Sequence, residues 1–186
     1  MPAPTKITKD MILQAGVALV RHRLPVSARA LAESLGCSTQ PIYSYFKNMQ
    51  HLEGELYAEI QKVHYQKINE YIAQNTMPSY KAYGMGFIKF AGSERELFAY
   101  LYLSGKNQDA AQLFDKQYID DVTSQMQKIY KCTKDQAANF HVDMTIYSFG
   151  LAVMQYLGQS LTEQEISTRL TQQFKALYKL HFNKEI

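Results

Sequence analysis

The 186-residue sequence predicts an all-α fold of about nine helices. Apolar residues recur three and four apart along most of the chain, the spacing that lines one face of a helix. Only 9 Gly and 5 Pro interrupt that pattern. No run alternates apolar and polar residues convincingly over the length of a strand. With 46% hydrophobic residues, the chain can bury a substantial core, which argues against wholesale disorder.

The first helix is expected from Ile7 to His22, starting near Thr8 or Lys9, with Asp10 favourably placed for the helix dipole. Met11, Ile12, Ala15, Leu19 and Val20 form its apolar face, and Leu24 before Pro25 closes it. Ser27 is expected to cap a second helix, Ala28 to Leu35, with Leu31, Ala32 and Leu35 inward. Gly36 suits a left-handed turn after it. Ser38 is expected to cap a third helix, Thr39 to Phe46, where Pro41 is tolerated in the first turn. Asn48 then caps a fourth, Met49 to Ile72, with Leu52, Leu56, Ile60, Val63 and Ile68 on its buried side.

Gln74 to Ser79 (QNTMPS) is the expected boundary between two domains. Tyr80, Tyr83, Gly84, Phe87 and Ala91 form one stripe of a fifth helix, and Glu94 to Ser104 makes a short sixth. A seventh is expected from Ala110 to Tyr130, with Phe114, Val122, Met126 and Ile129 among its apolar positions. An eighth spans Lys134 to Leu157. A ninth, Glu163 to Phe182, carries the stripe Ile166, Leu170, Phe174, Leu177, His181. The resulting division is an N-terminal domain over 1–52, a connecting helix over 53–73, and a second domain over 74–186.

Composition excludes several classes. Cys37 and Cys132 are far apart and match no metal or redox spacing, which suits a reducing cytosol. MPAPTKITKD lacks the apolar core of a signal peptide, and no uninterrupted apolar run reaches the roughly 20 residues that span a bilayer. The expectation is a cytoplasmic protein without membrane association. His22, His51, His64, His141 and His181 are scattered, and neither Glu94/Glu96 nor Asp120/Asp121 reads as a working carboxylate pair. There is no phosphate-binding Gly-rich loop and no nucleophile elbow. Neither enzyme activity, a cofactor nor a metal is expected.

The net charge of +3 is small, but its distribution is informative. Lys6, Lys9, Arg21, Arg23, Arg29 and Lys47 outnumber Asp10, Glu33 and Glu53 within residues 1–53, so the whole excess lies there. The same segment has the form of a helix-turn-helix, which lays its second helix into the major groove of double-stranded DNA. Such a helix needs a slender polar outer face and apolar residues behind it. Thr39, Gln40, Pro41 and Ser44 suit the first requirement, Ile42 and Phe46 the second. Gln40 can bond an adenine edge, the Thr39 methyl and Pro41 ring can touch a thymine methyl, and Arg29 can reach a guanine or a phosphate. Ser27, Ser38, Tyr43 and Tyr45 are natural phosphate donors, and Lys47 stands beside the N-terminus of the fourth helix.

Residues 8–56, through the motif ALAESLGCSTQPIYSYFKNMQHL, resemble the DNA-binding domain of TetR/AcrR transcriptional regulators. That family's pattern is a Gly-Val-Ser turn, Leu-Tyr-x-Tyr/His-Phe and a following Lys. The resemblance implies a homodimer that binds a palindromic operator and releases it when a small molecule enters the C-terminal domain. By the same resemblance Arg29, Thr39, Gln40, Pro41 and Ser44 face bases, while Ser27, Ser38, Tyr43, Tyr45 and Lys47 hold the backbone. Three departures affect the first helix: Val20 replaces a bulky aromatic, Gly16 replaces a more common Ala, and Arg23-Leu24-Pro25 lacks the usual Gly.

In the second domain Tyr83, Phe87, Phe90, Phe98, Tyr100, Tyr102, Met126, Met144 and Tyr147 could line an apolar ligand cavity, or simply fill a core. His141, Asp143 and Tyr147 could orient a ligand there. The ligand-binding candidates are Tyr83, Phe87, Phe90, Tyr100, Met126, His141, Met144 and Tyr147. The resemblance implies a dimer interface on the last two helices. Gly150, Met154 and Gly158 mark a small-residue seam there, and the candidates are Phe149, Gly150, Val153, Leu157, Ile166, Leu170, Phe174 and Leu177. Packing within one chain is the other use of the same residues.

The leading expectation is therefore a ligand-responsive dimeric transcriptional regulator, a repressor in the first instance. Its rivals are a helical enzyme or small-molecule carrier with a structural N-terminal domain, and a DNA-binding protein regulated by a protein partner.

Overall fold

The computed structural model describes residues 6–105, 116–159 and 161–185. Among these residues there are nine helices and no strand. They are α1 (Lys9–Arg21), α2 (Ala28–Ser34), α3 (Gln40–Tyr45), α4 (Met49–Ala73), α5 (Ser79–Ser93), α6 (Arg95–Tyr102), α7 (Lys116–Tyr130), α8 (Lys134–Tyr156) and α9 (Glu163–Phe182). The part of the expected seventh helix before Lys116 lies outside the described residues.

Side-chain oxygens set most helix starts. Thr8 Oγ1 accepts the Met11 N–H at 3.2 Å, Ser27 Oγ the Ala30 N–H at 3.1 Å, and Asn48 Oδ1 the His51 N–H at 2.8 Å. Thr133 with Gln136 and Thr162 with Glu165 form reciprocal capping boxes at α8 and α9. The third helix differs from expectation. Thr39, not Ser38, is its N-cap, already in helical conformation and without a side-chain bond, and Pro41 stiffens the first turn.

The chain folds into two compact units that do not follow its linear order. The first holds the described residues up to Gln66 together with Glu94–Ser104, and the second holds Lys67–Ser93 and the described residues from Gly105 onward. Thus α6 belongs with α1 rather than with its sequence neighbour α5, and α4 contributes to both units. Leu97, Phe98 and Leu101 of α6 are buried, and two charged contacts accompany that burial: Arg21 grips Glu94 through Nε and Nη2 at 2.9 and 3.0 Å, and Arg23 meets Glu96 at 2.6 Å.

In the first unit Ile12, Val17, Leu31, Ile42, Phe46, Leu52, Leu56, Ile60, Leu97 and Phe98 form the core. Gly16 lets α1 approach α4 closely, since a Cβ there would lie 3.0 Å from Leu56 Cδ1. Arg23 adopts the left-handed conformation, φ 58°, and the next N–H, of Leu24, bonds back to Leu19 O at 2.9 Å. An arginine thus occupies the position that glycine fills most easily.

The second unit packs α5 against α8 and α9, with α7 on α8. Its core is rich in rings: Phe140 lies 5.1 Å from Phe174 and 5.2 Å from Phe182 between centroids, and Tyr178 lies 4.9 Å from Phe182. His181 Nε2 and the Asp143 carboxylate, 2.7 Å apart, tie α9 to α8.

Candidate nucleic-acid interface

The presentation of α3 follows from the turn before it. Gly36 takes φ +63°, and the Cys37 N–H bonds Ala32 O at 2.9 Å, which ends α2 and redirects the chain. Leu31 and Ala32 on α2 are buried, as are Ile42 on α3 and Phe46 just after it. Ile42 and Phe46 are each 1% exposed, so they pin one side of the short helix. The opposite side is open: Ser38, Thr39, Gln40, Tyr43 and Ser44 are exposed and Pro41 is half-buried.

Hydrogen-bond accounting separates these side chains. Arg29, Ser38, Thr39, Gln40, Tyr43 and Lys47 make no side-chain hydrogen bond or ion pair among the described residues, so their polar groups are available to a ligand. Ser27 spends a lone pair on the Ala30 N–H and keeps its own hydrogen. Ser44 donates to Pro41 O at 2.6 Å. Tyr45 donates to Ile7 O at 3.1 Å, which commits its hydroxyl hydrogen to the segment preceding α1. In this geometry Tyr45 braces α3 and does not offer a donor outward.

The start of α4 lies next to this face. The Lys47 N–H bonds His51 Nδ1 at 3.3 Å while its ammonium stays in solvent. Lys9 pairs with Glu55 at 2.9 Å, and this bond from the ammonium holds the Glu55 carboxyl below its usual range. Lys9 also stands 5.8 Å from the centroid of the Phe46 ring. This end of the unit combines free cationic groups, hydroxyls and a helix N-terminus, a combination suited to phosphate.

The ligand-binding candidates separate. Tyr100 belongs to the first unit, where burial and the nearby Glu53 charge push its hydroxyl up to about 12. Tyr83, Phe87, Phe90, Met126, His141, Met144 and Tyr147 all lie in the second. There Phe90, Met126, His141 and Met144 are buried, and the other three are half-buried. His141 Nδ1 is 3.0 Å from the Tyr80 hydroxyl, and burial lowers the basicity of the imidazole and raises the pKa of the phenol. Tyr80 is the residue that sequence reasoning missed here. Only its position on the stripe with Tyr83 and Phe87 hinted at it.

The dimer-interface candidates also divide. On α9, Ile166, Leu170 and Leu177 are buried within their own unit, and Phe174 is half-buried among Tyr80, Tyr130, Phe140 and Tyr178. Packing within the chain uses that stripe. On α8, Phe149 and Val153 are half-buried, while Gly150 and Leu157 are exposed. Ile146, 60% exposed, and Met154 of the expected seam extend the same open face, and Ile146 was absent from the sequence-derived set.

Among the described residues no group of three His, Cys, Asp or Glu side chains could hold a metal ion, and no helix is long and apolar enough to cross a membrane.

No protein-family model matches the chain, and no curated protein matches it in sequence. Among solved structures, the crystal structure of a TetR-like transcriptional regulator from Rhodococcus sp. RHA1 is similar at a TM-score of 0.63 and 15% identity. The match covers 97% of this chain and 99% of that one. Over nearly its full length, the chain has the fold of a TetR-like transcriptional regulator.

Proposed function

We propose that this chain is a cytoplasmic transcriptional regulator, a repressor, that binds a palindromic DNA operator as a homodimer. A small molecule bound in the second unit releases it, and the protein performs no catalysis. One observation carries the reading: α3 exposes Thr39, Gln40, Tyr43 and Ser44 while Ile42 and Phe46 anchor its other side, each 1% exposed. Arg29, Thr39, Gln40, Pro41 and Ser44 are the base-facing set. Ser27, Ser38, Tyr43 and Lys47 hold phosphates, and Tyr45 keeps α3 in place through Ile7.

A second copy of the chain is the partner that suits the open face of α8, where Ile146, Gly150, Met154 and Leu157 recur at helical spacing. Two reading heads serve one duplex face when they stand about 34–36 Å apart, or a multiple of that. An effector that binds better to another spacing shifts the population away from DNA. The Tyr80–His141 pair, set among rings, is a polar handle for such a molecule.

Selection of bound duplexes from a random pool tests the reading. The expected winner is a two-fold symmetric sequence whose affinity falls steeply with salt as counterions are released. A pool that yields no enriched duplex, or binding indifferent to salt, overturns it.

A further inference from the structure

We propose that Ser44 reads DNA as an acceptor only, selecting cytosine or adenine over guanine or thymine on one strand at one position of each half-site. The inference rests on the DNA-binding reading above. A serine hydroxyl carries one hydrogen and two lone pairs, so it can ordinarily pair with either kind of base edge. Here that hydrogen already has a partner in the protein. Ser44 Oγ lies 2.6 Å from Pro41 O, and a carbonyl has no hydrogen to give, so Ser44 is the donor. Its one hydrogen points back along α3, and only lone pairs face outward.

Lone pairs alone are a poor match for phosphate, whose oxygens are also acceptors. They are equally unsuited to guanine O6 and thymine O4. In the major groove the donors are the exocyclic amino groups, N4 of cytosine and N6 of adenine. Ser44 also stands one turn beyond Gln40 on the exposed side of α3, with Ile42 buried behind them. Ser27 has the opposite polarity. It accepts the Ala30 N–H and keeps a hydrogen, which suits a phosphate oxygen. The two serines are therefore not equivalent contacts.

The full-length protein and Ser44→Ala are each used to select duplexes from the same random pool. Both are expected to enrich related sequences. Only the wild type should prefer amino-bearing over keto-bearing bases at one position per half-site, by about three- to tenfold. In the best wild-type duplex, that base is then replaced by its analogue without the amino group, purine for adenine or 2-pyrimidinone for cytosine. Wild-type binding should weaken by a similar factor and Ser44→Ala binding should not change. Wild-type preference for guanine or thymine at the Ser44-dependent position overturns the proposal. So does an identical motif from both proteins, or an equal loss on amino removal. If the wild type enriches nothing, the DNA-binding reading itself fails and this inference goes with it.

Discussion

The backbone of Gly16 rests against Leu56 so closely that a methyl group on its Cα would meet Leu56 Cδ1 at 3.0 Å. Leu56 is fully buried, so any shift it makes is felt by a packed core. Gly16→Val should therefore lower stability by about 1–3 kcal/mol through overpacking. Trimming the neighbour as well, in Gly16→Val with Leu56→Ala, should cost less than the two single changes added together, as urea unfolding of the four proteins would report. Strict additivity would mean that the helices separate freely at this point.

Arg23 occupies a left-handed position, φ 58°, where a Cβ is unfavourable. Arg23→Gly and Arg23→Ala both remove the contact with Glu96, so their difference isolates the backbone. Arg23→Gly should be more stable than Arg23→Ala by about 1 kcal/mol, or a melting difference of roughly 2–4 °C. Equal melting temperatures would show that the loop relaxes to another conformation.

Burial lowers the His64 pKa from 6.5 to about 4 in the folded protein. The unfolded chain therefore takes up a proton at a pH where the folded chain refuses it. The stabilisation is complete above pH 6.5 and drains as the pH falls toward 4, by about 1.4 kcal/mol per pH unit and roughly 3 kcal/mol in all. His141, also lowered by burial, acts in the same direction. His64→Gln should flatten the acid limb of a stability profile measured between about pH 4.5 and 7.5. An unchanged limb would assign the acid sensitivity to other groups.

Anchoring and contacting residues on and beside α3 should separate cleanly. Ile42→Ala should cost about 2–5 kcal/mol of stability because a core side chain is lost. Lys47→Ala should leave stability unchanged but weaken binding to all duplexes alike, reducing the slope of log affinity against log salt by about 1. A sequence-dependent effect of Lys47→Ala would reassign it to base contact.

A Cβ added at Gly150 meets nothing within 4 Å among the described residues, so the backbone there has room for a side chain. Gly150→Leu should leave thermal unfolding of the monomer intact while weakening association by about 1–3 kcal/mol. Sedimentation velocity reads the result, and an unaltered dimer would move the interface off the open face of α8.

The sequence disclosed features that local chemistry determines. Thr8, Ser27 and Asn48 cap helices as their types suggest, and Gly36 turns where a left-handed residue is required. Ile42 and Phe46 are buried behind the polar face of α3, as their spacing implied. Contacts made at long range were invisible. The Arg21–Glu94 pair, which links α1 to the start of α6, spans 73 positions, and the Tyr45–Ile7 bond spans 38. The apolar stripe of α9 was ambiguous for a different reason. Periodicity reports that one face avoids water but does not say whether the cover is the same chain or another, and Ile166, Leu170 and Leu177 are covered by their own unit.

Two adjacent residues near the beginning of the chain serve separate helices: Ile7 O receives the Tyr45 hydroxyl and Thr8 caps α1. Trimming the protein through Thr8 would thus loosen the far end of α3 along with the first turn of α1. An expression product shortened there could retain its overall shape and still lose affinity for its target, a defect easily misread as damage to the recognition surface itself.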